Sequence, residues 1–184
     1  MDCSQTDYSF EGFFKAYPDR DSIRIGDTIW LENKIPVQIK DVISGKDINY
    51  TGAVNLGTAI SYLELISGPR DPAPLDAANS FTNILIKGIA RPSINENYAR
   101  EFLFVEENGF YHFKLAIIPN KRGLFALGPS NADNVYTKSN KCQKSSFSLT
   151  IKDTNQRIFL YEQSRPGYTA SGYERSHMYV FKVY

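Results

Sequence analysis

The sequence predicts an all-β chain folded as an antiparallel two-sheet β-sandwich with long loops and at most short helices. Three observations predict it. Apolar residues recur at every second position in several short runs, turn residues separate those runs, and 12 Tyr and 12 Phe stand beside one Trp, a composition suited to pleated surfaces. At 184 residues the chain is long enough for one well-buried domain and short for two. Residues 1–184 are therefore read as a single sandwich, with 1–7 as an N-terminal arm.

The elements follow in chain order. Tyr8 to Tyr17 alternates about Gly12 and stops at Pro18-Asp19, a strand closed by a turn. Asp21 to Val42 carries the strongest strand pattern, with Ile23, Ile25, Ile29 and Leu31 at even spacings. Gly26-Asp27 interrupts the run where a bulge or bend would turn Trp30 inward, so Trp30 is expected in the core beside Ile29 and Leu31. Pro36 ends this strand by removing a ladder donor. Val37, Ile39 and Val42 then form a short edge strand or a loop, Ser44 to Asp47 a turn, and Tyr50 to Leu56 an irregular stretch. Thr58 to Ser67 is read as a strand. Gly68 to Asn79, with three of the nine prolines, is read as a long exposed loop, and Phe81 to Ala90 as the next strand.

Glu101 to Ile118 is the clearest supersecondary signal. Two strand-like runs flank Glu107-Asn108-Gly109, and Asn-Gly supplies the positive φ values of a tight hairpin turn. Gly123 to Gly128 adds a short strand and Pro129 to Lys141 a polar loop. Phe147, Leu149 and Ile151 then alternate with Ser146, Ser148, Thr150 and Lys152 as another strand. Asp153-Thr154-Asn155 turns the chain or caps a short helix over Gln156 to Gln163. Met178 to Tyr184 closes the chain as an apolar strand, which belongs inside a sheet rather than on a tail.

Charge and cysteine usage bound the function. Lys plus Arg total 21 against 20 acidic residues, so the formal charge of +1 gives no field that would gather nucleic acid or an anionic membrane. No run of about eighteen apolar residues is present to span a bilayer. Met1 to Gln5 lacks the basic and apolar regions of an export signal. Cys3 and Cys142 have three readings: unrelated thiols, a disulfide tying the arm to a later loop, or a Cys3 lipidated in a longer precursor. Few, widely spaced cysteines in a strand-rich chain fit an exported protein with one staple.

The run Ile25-Gly26-Asp27-Thr28-Ile29-Trp30-Leu31 resembles the Gly-Asp-Thr, apolar, Trp strand of immunoglobulin-like domains in uncharacterised envelope proteins of bacteroidete bacteria. Tyr179 to Val183 looks like the last strand of that group, and a cysteine placed as Cys142 is also similar. The resemblance implies an immunoglobulin-like sandwich that is secreted or carried as a lipoprotein, in the periplasm, on the outer-membrane surface or outside the cell. It implies no enzyme activity and no cofactor. No lipobox is present here.

Residue chemistry points the same way. The two histidines, His112 and His177, have no nucleophile motif around them. His112 is expected to face solvent or stack on its aromatic neighbours. The acidic groups Asp19-Arg20-Asp21 and Glu106-Glu107-Asn108 are read as solvated turns, and no metal is expected. Ser164 to Tyr179 instead gathers Arg165, Tyr168, Tyr173, Arg175 and His177 among small residues. Tyrosine and arginine on such a loop suit a protein interface or stacking on sugars. The competing reading is a loop folded back on the sheet with its tyrosines as cover. Tyr98-Ala99-Arg100 is a weaker surface candidate. The expectation is a non-catalytic binding module for adhesion, assembly or ligand binding, with a carbohydrate-binding or carbohydrate-processing protein as the alternative. The partner would be a protein or a glycan.

Overall fold

A computed structural model describes residues 7–66, 73–151 and 157–184. The strands run in chain order as β1 (Tyr8–Tyr17), β2 (Ser22–Ile23), β3 (Ile29–Pro36), β4 (Gln38–Lys40), β5 (Asp47–Asn49), β6 (Ala53–Val54), β7 (Gly57–Glu64) and β8 (Leu75–Asp76). They continue as β9 (Phe81–Lys87), β10 (Ile89–Arg91), β11 (Ala99–Leu103), β12 (Val105–Glu107), β13 (Phe110–Pro119), β14 (Gly123–Pro129), β15 (Ala132–Thr137) and β16 (Asn140–Ile151). Two short helices, α1 (Ile158–Ser164) and α2 (Gly172–His177), precede the last strand, β17 (Tyr179–Val183).

The strands form two large sheets and a small hairpin, an all-β sandwich. The first sheet has the order β12-β13-β3-β1-β16-β15-β6 with β9 also on β13; the second has β10-β11-β7-β14-β17-β2 with β8 on β7; β4 and β5 pair apart. Most pairs are antiparallel, as expected. Two are parallel, β1 with β16 and β17 with β2.

The core lies between the sheets and is largely aromatic. Phe113 of the first sheet meets Phe102 of the second at 5.3 Å between ring centroids, and Phe81 meets Phe125 at 5.0 Å. Tyr62 crosses the same gap and donates its hydroxyl to Asn83 Oδ1 at 2.8 Å, which satisfies a polar tip otherwise costly to bury. A second cluster, including Leu65, Ala126, Tyr161 and Val180, packs α1 and the segment after it against the outer face of the second sheet, while α2 lies against β16 of the first. The layers are thus α1, second sheet, core and first sheet, with α2 set against β16.

The Asp21–Val42 stretch is not one strand. Ile23 pairs into the second sheet, Gly26 turns the chain at φ 86°, and Ile29 opens β3 in the first sheet. Along β3 the buried residues are Ile29, Leu31, Asn33 and Ile35. Trp30 is odd to that set, so alternation places it on the outer face, and the expected core position is overturned. The Asn108-Gly109 hairpin joins β12 to β13, with both residues at positive φ. Closing strand β17 lies inside the second sheet between β14 and β2.

Other expectations shift at the boundaries. Part of the supposed polar loop after Pro129 is β15, whose Ala132, Val135 and Thr137 are buried despite two register shifts. In the Gly68–Asn79 stretch, Leu75–Asp76 pairs with β7, while residues 67–72 lie outside the described residues. A helix does follow Arg157, whereas the expected cap at Asp153 to Asn155 lies outside the described residues.

Candidate functional site

The Ser164–Tyr179 segment is a compact helical cap, not a long flexible loop. Ser171 accepts from Glu174 N–H and Glu174 returns the bond to Ser171 N–H, a capping box that starts α2. Glu174 also accepts the Tyr168 hydroxyl at 2.6 Å and the Tyr161 hydroxyl at 3.2 Å. The Arg165 guanidinium stacks 4.1 Å from the Tyr168 ring and donates to the Tyr161 hydroxyl at 2.8 Å. Arg175 pairs with Glu162, whose carboxylate also takes Ala170 N–H at 3.0 Å. Hydrogen bonding to Glu174 pushes the Tyr168 hydroxyl well above the usual tyrosine range, so it stays a donor. Arg165, Tyr168 and Arg175 therefore spend their polar groups on this cap.

Tyr173 and His177 are brought together elsewhere. Their rings stack at 3.8 Å and 14°, with Tyr173 55% exposed and His177 buried. His177 Nε2 lies 3.1 Å from Asn131 Oδ1, and its Nδ1 2.7 Å from the Ser176 hydroxyl. Burial lowers the His177 pKa and favours the neutral ring. With Tyr98, Ser61 and Ser130 the pair lines a small cavity of about 130 Å³. Sequence reasoning treated five residues as one site; the fold splits them into a structural cap and a two-ring wall. The Ser171-x-x-Glu174 spacing was the signal for the cap.

The acidic groups are not simply solvated turns. Asp19 and Asp21 both accept from Arg157, whose side chain is 1% exposed and whose guanidinium lies 5.7 Å from the Tyr179 ring. Glu107 binds Lys87 at 2.7 Å and sits 3.3 Å from His112, so it pins the hairpin to β9. Both clusters close structure rather than open a site. Among the described residues no group of three His, Cys, Asp or Glu gathers around a point that would hold a metal. Of the expected Cys3–Cys142 pair, Cys3 lies outside the described residues, and Cys142, on β16, is not a free thiol.

The surface that sequence reasoning missed is the outer face of the first sheet. Register places Tyr17, Trp30, Ala116 and Ile84 in one row across β1, β3, β13 and β9. Tyr17 and Trp30 stack at 6.3 Å and 22°, and the Lys114 ammonium lies 5.1 Å from the Trp30 ring. Glu32 accepts the Tyr17 hydroxyl at 3.2 Å and faces Lys114 at 3.6 Å. Ile84 and Ile86 are 49% and 48% exposed at the edge of the row. The result is a half-wet aromatic and aliphatic strip with Lys114 and Glu32 beside it. Strand parity counted from Ile29 and Leu31 was the signal for it.

The fold and these surfaces define an all-β sandwich with a helical cap on one face and an open sheet on the other. No protein-family model matches the chain, and no curated protein matches its sequence. Among the described residues no helix is long and apolar enough to cross a membrane.

Proposed function

We propose that the chain is a non-catalytic binding module, exported to the bacterial envelope, that docks a partner protein on the outer face of its first sheet. One observation carries this: the only tryptophan of the chain is held on that face, stacked on Tyr17 and beside exposed Ile84. A half-buried tryptophan–tyrosine stack flanked by Lys114 and Glu32 matches the composition of protein-interface anchors. The opposite sheet has its outer face covered by α1 and the segment after it, so it offers less. Carbohydrate recognition is the second reading, favoured by the cavity between Tyr98 and the exposed Tyr173 ring.

The test uses retention of solubilised envelope proteins alongside a glycan array, each with wild type and Tyr17→Ala/Trp30→Ala. The expected result is specific retention by wild type, lost in the variant, with a blank array. Trp30→Ala should cost only about 1–2 kcal/mol of stability, against about 2–5 for Leu31→Ala, so the loss of retention would not be a folding effect. Equal retention by both proteins overturns the assignment of the face. An array signal abolished by Tyr98→Ala/Tyr173→Ala transfers the reading to glycans.

A further inference from the structure

Strand β3 leaves its neighbour β1 part way along. The two pair from Tyr17–Trp30 to Phe14–Asn33, after which Ile35 and Pro36 pair with β13 and Gln38 to Lys40 with β5. The run returns to β1 at Ser9, whose carbonyl accepts from Val42 N–H at 2.8 Å and whose N–H donates to the Asp41 carboxylate at 3.0 Å. Between these points nine residue steps, Asn33 to Val42, face five, Ser9 to Phe14, so an excess of four bows outward. The gap is a cavity of about 520 Å³.

Its floor is apolar and depends on Gly12. A Cβ at Gly12 would stand 2.6 Å from Ile35 Cδ1 and 2.7 Å from Leu149 Cδ2, so glycine lets those side chains close under the strand. Ile35 and Ile39 are buried beneath the floor, and the exposed Phe13 and Val42 form its apolar rim.

The backbone along one wall is open. Backbone groups alternate sides along a strand, and Ser9 turns its N–H and C=O toward Asp41 and Val42, so Glu11 turns its own pair into the gap. On the far wall Val37 N–H donates to Gly109, which turns Pro36 toward the gap. Proline has no N–H, so that wall leaves no orphan donor there. Pro36 thus presents only a carbonyl to the gap, whereas Glu11 presents both a donor and an acceptor.

Charge narrows the ligand. Hydrogen bonds from the Ser44 side chain and from the backbone N–H groups of Ser9 and Ser44 hold the Asp41 carboxylate, whose pKa falls to about 2. Lys40 faces Asp47 across the β4–β5 pair, and the Lys34 ammonium lies 4.1 Å from the Phe110 ring. Glu11 has no ion-pair partner among the described residues.

We infer that this gap is a slot for a short extended peptide segment, which pairs with β1 at Glu11, lays an apolar side chain against Phe13 and Val42, and sets a basic side chain against Glu11. The mode is strand addition, in which main-chain bonds give affinity and side-chain pockets give selectivity. A segment of about three or four residues, at about 3.3 Å each, spans the open stretch. The slot does not depend on the Tyr17–Trp30 face being a docking surface.

The test titrates isotope-labelled full-length protein with a pool of blocked tetrapeptides carrying lysine first and valine, isoleucine or threonine thereafter. Two control pools carry glutamate in place of lysine, or N-methylated backbones. Saturable shifts centred on the Glu11 amide are expected, at least tenfold weaker for either control, with Glu11→Lys reversing the preference between the lysine and glutamate pools. The inference is overturned if no pool gives saturable shifts at millimolar concentration, if the shifts centre outside β1 and β3–β4, or if the N-methylated pool binds equally well.

Discussion

Asn33 faces the core between its register partners Phe14 and Phe113, and among the described residues neither its Nδ2 nor its Oδ1 finds a hydrogen-bond partner. A buried amide without partners forfeits the bonds it made to water in the unfolded chain. Asn33→Leu keeps the branched shape and heavy-atom count of the side chain with no polar group to bury, and although its methyls are bulkier than the amide it should raise stability by about 1–2 kcal/mol. Urea unfolding measures this directly, and a loss instead of a gain would mean that the amide holds a polar partner in solution. Residue chemistry of this kind was partly legible beforehand. The alternation of Ile29, Leu31 and Ile35 could be read from the letters, and the same parity puts both Asn33 inside and Trp30 outside. The expectation for Trp30 went wrong because hydrophobicity was allowed to outweigh parity. A sheet with one open face can hold a large ring in half-wet stacking without burying it.

At the scale of elements, the β12–β13 hairpin was legible because its turn chemistry is local. Asn108 at φ 51° and Gly109 at φ 77° supply the two left-handed residues that Asn-Gly predicts. A Cβ at Gly109 would meet nothing within 4 Å, so any cost of substitution is a backbone cost. Gly109→Val should therefore lose about 1–3 kcal/mol, while Gly109→Asn, which tolerates that conformation, should stay near wild type. Thermal unfolding of both proteins checks it, and equal melting points would place the turn elsewhere. Strand β15 was illegible for the opposite reason. Its buried residues are spaced irregularly, because bulges break the register with β16, and a period-two pattern does not survive them. The α1–α2 cap was obscured by its Gly and Ser content, although the Ser171–Glu174 box marks a helix start whatever the surrounding composition.

At the scale of the molecule, the pairings that hold the sandwich together join distant parts of the chain, and no local pattern encodes them. Strand β1 lies parallel to β16, with Phe10 opposite Phe147, and β17 lies parallel to β2, so both ends of the described chain are built into sheet interiors. Arg157 reinforces this by joining Asp19 and Asp21 to the C-terminal segment. The expectation that Met178 to Tyr184 sits inside a sheet needed only its apolar run; its neighbours could not be named. Four residues of β17, Tyr179, Val180, Phe181 and Val183, are at most 2% exposed, and burial of each such side chain contributes about 1.5–3 kcal/mol. Their loss would rival the whole stability of an ordinary domain, about 5–15 kcal/mol. Truncation after Met178 should therefore abolish the cooperative thermal transition, whereas truncation after Val183, which removes only the half-exposed Tyr184, should leave it. A cooperative transition surviving the longer truncation would mean that β14 and β7 hold the second sheet without β17, and the strand would then be an appendage to the core rather than part of it.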